Sequence, residues 1–112
     1  MFVLSCPYSH SDVIIKMKRV EFVAKFVDSK IKEGIFVFSP VLYGLKVLQY
    51  VDGMDDWETW KVFCENAILD CKELWVLKMK GWELSTGVKG EIDFAIANNI
   101  PVKYIDVNED YV

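Results

Sequence analysis

The chain alternates short, mostly apolar runs with longer stretches in which apolar residues recur every three or four positions. Phe2 to Cys6 is one such run, stopped by Pro7. Ile35 to Phe38 is a second, stopped by Ser39-Pro40, and Leu74 to Leu77 and Pro101 to Ile105 are the third and fourth. Runs this short and continuous predict strands buried on both faces. Between them, Val13, Met17, Val20, Ala24, Val27 and Ile31 step by threes and fours, predicting a helix with an apolar stripe. Its other face carries Lys16, Lys18, Arg19, Lys25, Lys30 and Lys32, read as a solvated surface. Ser9, Ser11 and Asp12 offer caps at its start, and Gly34 closes it. Trp57, Trp60, Cys64, Ala67 and Cys71 predict a second helix with both cysteines toward the core. Val88, Ile92, Ala95 and Ile96 predict a third, ended by Asn98-Asn99. Val41 to Asp56 fits neither period and reads as a partly helical flap. Its acidic group, Asp52, Asp55 and Asp56 with Glu58, suits helix capping and dipole compensation better than a metal site.

The predicted order is strand, helix, strand, helix, strand, helix, strand. That alternation predicts a single α/β domain over residues 1–112 with parallel pairing and right-handed crossovers. If the chain reverses direction after its second strand, the result is a four-stranded parallel sheet in the order 2-1-3-4. This is a three-layer sandwich of the flavodoxin or Rossmann-like kind. Ligands in such sheets bind outside the carboxyl ends of the strands, at the switch between strands 1 and 3. Cys6 to His10 and Gly81 to Glu91 meet there.

Composition narrows the partners. The 112 residues are 53% hydrophobic and 27% charged with a net charge of −4, so a globular fold is expected and a basic stripe for a nucleic-acid polymer is missing. A single nucleotide remains feasible, because one phosphate needs only a helix amino terminus and a few donors. The opening Met1-Phe2-Val3-Leu4 run has no basic leader and is too short to span a membrane. Three cysteines without a Cys-x-x-Cys pair, and a single histidine, argue against a disulfide scaffold or zinc site and for a reduced, cytoplasmic setting. Seven Phe, five Tyr and four Trp are many to bury in this length, so a homo-oligomer joined over an aromatic patch is expected.

The segment Gly81-Trp82-Glu83-Leu84-Ser85-Thr86-Gly87-Val88-Lys89-Gly90-Glu91 is the most informative in the chain. A hydroxyl and a glycine at a strand-to-helix turn present backbone N–H groups suited to a phosphate or carboxylate. Glu91 lies one turn further on, flanking the buried stripe. By pattern it is either an active carboxylate in the crevice or an ordinary exposed helix glutamate.

The chain resembles a small bacterial and phage family within the nucleoside 2-deoxyribosyltransferase-like superfamily. The resemblance is carried by Cys6-Pro7-Tyr8-Ser9-His10, Phe38-Ser39-Pro40, Asp56-Trp57 with Trp60, Gly81-Trp82, Ser85, Gly87, Glu91 and Pro101-Val102, in order over nearly the whole length. Its Ser-x-Gly-x-x-x-Glu element is also similar to that of deoxynucleoside monophosphate N-glycosidases. The resemblance implies cleavage or exchange of the N-glycosidic bond of a nucleoside or nucleotide, with Glu91 as nucleophile and no metal or organic cofactor. Tyr8 would orient Glu91, and Ser85 and Gly87 would hold a 5′-phosphate. Trp82 would stack on the base or merely cover the site. Ser9, His10, Ser39 and Pro40 join them as substrate-binding candidates. Relatives place an aspartate at the start of the third strand to assist the leaving base. Lys72 stands there in this chain with Glu73 beside it, which leaves Glu73 as the stand-in and a non-catalytic nucleotide-binding protein as the alternative.

Overall fold

In the computed structural model the described residues are 1–8, 10–47 and 57–108. They form β1 (Phe2–Ser5), α1 (Val13–Lys32), β2 (Val37–Phe38), α2 (Pro40–Val47), α3 (Trp57–Leu69), β3 (Leu74–Lys78), α4 (Thr86–Ala97) and β4 (Val102–Asp106), with a 3-10 turn at Trp82–Leu84. All strand pairs are parallel and the sheet runs β2-β1-β3-β4, as the alternation predicts. Phe38, Val3, Leu74 and Val102 lie in one row across it, and Leu4, Trp75 and Lys103 in the next. Because neighbouring residues point to opposite faces, each row belongs to one helical layer. Leu4, Cys6, Val37, Trp75 and Leu77 pack toward Phe22, Val23 and Phe26 of α1 and Val41 and Leu42 of α2. Val3, Leu74 and Val76 pack toward Ile68 of α3 and Val88 and Ala95 of α4. No helix among the described residues is long and apolar enough to cross a membrane.

The apolar stripe predicted for α1 is not its buried face. Val13, Met17 and Ile31 are 63%, 67% and 57% exposed and Ala24 is exposed, whereas Val23 and Arg19 are buried and Phe22, Phe26 and Val27 half-buried. α1 has two apolar sides, and the one bearing two phenylalanines covers more of the sheet, so it takes the core. A similar correction applies to α4. Ile96 is 62% exposed, and the inward side carries buried Val88 and Ala95 with Glu91 and Ile92 half-buried beside them. Both cysteines of the α3 region do face inward, at 3% exposure for Cys64 and 8% for Cys71.

The ends of the elements follow local chemistry. The Asp12 Oδ1 accepts the Ile14 N–H at 2.8 Å and caps α1. Gly34, at φ +79°, turns the chain out of it. The predicted strand at Ile35–Phe38 shortens to Val37–Phe38, an edge that pairs only with β1, and Phe36 is 65% exposed. The flap expected over Val41 to Asp56 begins as α2, whose start is capped by the Ser39 Oγ accepting the Leu42 N–H. Gly44 of α2 lies against the Trp60 ring, with no room for a Cβ. Ser9, Asp52, Asp55 and Asp56 lie outside the described residues.

Candidate functional site

A cavity of about 600 Å³ opens beyond the carboxyl ends of β1 and β3, where the strand order switches. Three segments build it. After β1, Pro7 and His10 form one wall; the His10 Nδ1 accepts the Asp12 N–H at 2.9 Å, so the imidazole is tied to the cap of α1. After β3, Lys80 and Gly81 turn the chain, with Gly81 at φ +82°, a conformation that a glycine adopts without strain. The third wall is the start of α4. There the Ser85 Oγ accepts the Val88 N–H at 3.3 Å, while Thr86 and Gly87 lie in the first turn, whose N–H groups have no acceptor within the helix.

Arg19 crosses into this cavity from α1. It is 6% exposed, and its Nη2 donates to the Lys80 carbonyl at 2.9 Å. A cation and a helix amino terminus on the walls of one cavity both supply positive potential there, an arrangement suited to an anion. The sequence reading set Arg19 on the solvated face and did not name Lys80. The overlooked signal was positional: Arg19 lies four residues from both Ile15 and Val23, on the side of α1 that bears the two phenylalanines.

Glu91 lies deeper. Its Oε2 is buried and makes no hydrogen bond within the protein, and the same holds for Ser5 Oγ at the end of β1. Ser5 shares a sheet row with Val76, on the side that α3 and α4 cover. Burial pushes the Glu91 carboxyl up to about 8, and the nearby Ser5 hydroxyl offsets only part of that. The two side chains are near enough to interact without the alignment of a regular hydrogen bond. A crevice of about 20 Å³ at Glu91 is bounded by Gly90 and by Lys61, Cys64 and Glu65 of α3. The Cys6 and Cys64 thiols are both pushed up to about 12, by burial first and by the negative charge of Glu91 second. Cys6 also feels Arg19, which acts the other way. Cys6 is thus within electrostatic reach of both Arg19 and Glu91.

Of the residues named from sequence, His10, Ser85 and Gly87 line the cavity and Glu91 lies behind it. Tyr8 does not join them. It lines a separate groove on the outer side of α1, with its ring centroid 5.7 Å from the Lys16 Nζ. Ser5 is the hydroxyl that the structure sets beside Glu91. Trp82 packs on Tyr104 of β4 at 5.6 Å and lines a shallow groove with Lys89 and Ile92. Ser39 and Pro40 are buried at the start of α2, where Ser39 serves as a cap.

Glu73 is at the wrong end of the sheet. Its carbonyl accepts the Val3 N–H and the neighbouring Lys72 N–H donates to the Met1 carbonyl, both at the amino ends of the strands. β3 itself, five residues long, separates them from the cavity, a rise of about 16 Å. Neither residue is placed to serve a leaving base. Among the described residues no group of three or more His, Cys, Asp or Glu is placed to hold a metal ion.

Residues 1–107 match a family described as a domain of unknown function, DUF1937, and the chain belongs to that family. No curated protein matches the chain.

Proposed function

We propose that this chain is an N-glycosidase or deoxyribosyltransferase that acts on a nucleoside or nucleotide, with Glu91 as its carboxylate nucleophile. One observation carries the reading. The helix that opens the cavity also holds, one turn inside, a buried carboxyl with an oxygen that no protein group satisfies. A buried unsatisfied carboxyl weakens the fold, and such groups concentrate where chemistry is done. The resemblance of Ser85, Gly87 and Glu91 to the glycosidase element supports the same assignment.

In this reading Arg19, Ser85 and the first turn of α4 hold a phosphate or a sugar hydroxyl, and the sugar extends past Cys6 toward Glu91. The ionised carboxylate attacks the anomeric carbon as the bond to the base nitrogen breaks, and the base leaves with the bonding pair and takes up a proton. Water or a second base then displaces Glu91 and restores it. Because the carboxyl titrates at about 8, only about one molecule in ten is ionised at pH 7, and turnover rises with pH up to about that value. No metal or organic cofactor enters these steps. The partner is a small molecule rather than a nucleic-acid polymer, the acting unit is an oligomer, and three unpaired, buried thiols suit a cytoplasmic setting.

The test is release of free base from a panel of ribo- and deoxyribonucleosides and their monophosphates, with wild type and Glu91→Ala side by side. Release by wild type, reduced about a thousandfold in Glu91→Ala, is the expected result. Equal release by both would remove Glu91 from the mechanism. A second reading, nucleotide binding without turnover, is favoured by the position of Glu91 behind the cavity rather than on its wall. Binding of a monophosphate with no product from any member of the panel would select it.

A further inference from the structure

We propose that the amino-terminal half of α3 is a movable cover over Glu91, hinged at the carboxyl-terminal end of that helix and closed by a ring stack against α2. The inference rests on the proposed role of Glu91 for its purpose, but not for its test. The first observation is one of room. Glu91 is not on the wall of the cavity of about 600 Å³, and the crevice beside it measures about 20 Å³. A space of that size holds about one water, and no sugar ring. Yet Gly87 lines the cavity and Glu91 follows it by four residues, so both lie on one side of α4. Across the crevice stand Lys61, Cys64 and Glu65 of α3. Moving these residues outward would extend the cavity along α4 to the carboxyl.

The second observation is that the two ends of α3 are held differently. The helix leads into β3, so its carboxyl-terminal end lies at the amino ends of the parallel strands. With 13 residues it runs back across the sheet by about 20 Å, which brings its amino-terminal half to the cavity end. The far end is anchored. Ile68 is fully buried in the core, Cys71 is 8% exposed, and the Lys72 N–H donates to the Met1 carbonyl at 2.8 Å. The near end is held by rings. Trp60 stacks on Phe63 with centroids 4.8 Å apart, and Phe63 stacks on Tyr43 of α2 at 5.3 Å. Trp60 also fills the notch left by Gly44, where a Cβ would run into its ring. Stacked rings slide without breaking a directional bond, whereas a close-packed anchor does not yield. That asymmetry is what a hinged element needs. Gly44 sets how closely α3 sits, so the size of the residue there controls access to Glu91.

The experiment is alkylation of the full chain by iodoacetamide, followed thiol by thiol with peptide mass spectrometry, on wild type and Gly44→Ala. Cys64 reports the cover. Cys6, packed in the core beside Val23 of α1, is the internal control, since burial pushes both thiols up to about 12. Cys64 is the more buried of the two, at 3% exposure against 7%. In wild type it should nevertheless react about tenfold faster than Cys6, because a local opening uncovers it and only unfolding uncovers Cys6. Gly44→Ala should raise the Cys64 rate roughly tenfold further and leave Cys6 unchanged. Equal rates at the two thiols in wild type overturn the proposal. So does a Cys64 rate that in Gly44→Ala is unchanged or rises only in step with Cys6. Base release by a protein with equal thiol rates would remove the cover and leave the glycosidase reading. Fast Cys64 alkylation without base release from any nucleoside or nucleotide would do the reverse.

Discussion

Two helices of this protein each carry an ionisable side chain inward, and the fold treats the two differently. Arg19 on α1 is buried beside a 600 Å³ cavity, with a backbone carbonyl as an acceptor and a helix amino terminus across from it. Its guanidinium is a planar fork of donors that suits a phosphate or carboxylate. Glu91 on α4 sits against a crevice of about 20 Å³ that Cys64 also lines, and burial holds its proton on to about 8. One group lies against an open cavity; the other lies against a crevice and is held protonated. In the proposed reaction, binding would use the first and nucleophilic attack would need the second to ionise.

The largest expected effect breaks the comparison at Glu91. Its carboxyl titrates at about 8 folded against 4.5 unfolded, so between those values the folded state holds a proton that the unfolded state has lost. Stability is therefore complete below pH 4.5 as far as this group is concerned and falls as pH rises toward 8, by about 4 to 5 kcal/mol in all. The groups near it are Ser5 at the end of β1, Cys6 just after it, and Cys64, Lys61 and Glu65 on α3. Both thiols titrate higher still, so this window belongs to the carboxyl. Melting temperatures of wild type and Glu91→Gln from pH 5 to 8.5 should diverge, with the glutamine variant losing much less. Parallel curves would mean that Glu91 is ionised and solvated in the folded protein.

Arg19→Leu probes the other half. Leucine approaches the volume of arginine but not its reach, and the Lys80 carbonyl loses its donor, so the fold should lose about 1–3 kcal/mol. Affinity for inorganic phosphate or a nucleoside monophosphate, measured by calorimetry, should fall about ten- to a hundredfold. A large drop in melting temperature with unchanged affinity would make Arg19 a structural tie to Lys80 and nothing more.

The smallest effect sharpens the contrast instead of breaking it. The Ser5 hydroxyl lowers the Glu91 titration, so Ser5→Ala should move it further up. The rising limb of the pH–rate profile should follow, with the phosphate affinity of the cavity unchanged. A profile that stays in place would separate Ser5 from Glu91.

Much of the scaffold was legible in the pattern of apolar residues. Four short runs became four parallel strands, and the chain reversal after the second strand became the order 2-1-3-4. Gly81, Ser85 and Gly87 announced the turn and cap that open α4, because caps and left-handed turns are local requirements met by a few residue types. What misled the reading was rotation. On α1 two apolar sides competed, and periodicity cannot say which one meets the sheet; the area of Phe22 and Phe26 decided it, turning Arg19 inward and Met17 outward. On α4 the same ambiguity hid Glu91 inside the stripe and left Ile96 outside.

The alternation of strands and helices, their parallel pairing and the capping residues of α1 and α4 thus follow from local spacing and from the handedness of parallel crossovers. Which charges lie inside, which hydroxyl stands beside Glu91, and how far Glu73 lies from the site were decided by the tertiary structure alone. Those facts depend on how a helix rolls against a sheet and which end of a strand a residue occupies. Both are settled by the sum of packing over the whole layer, so no short window of residues contains them.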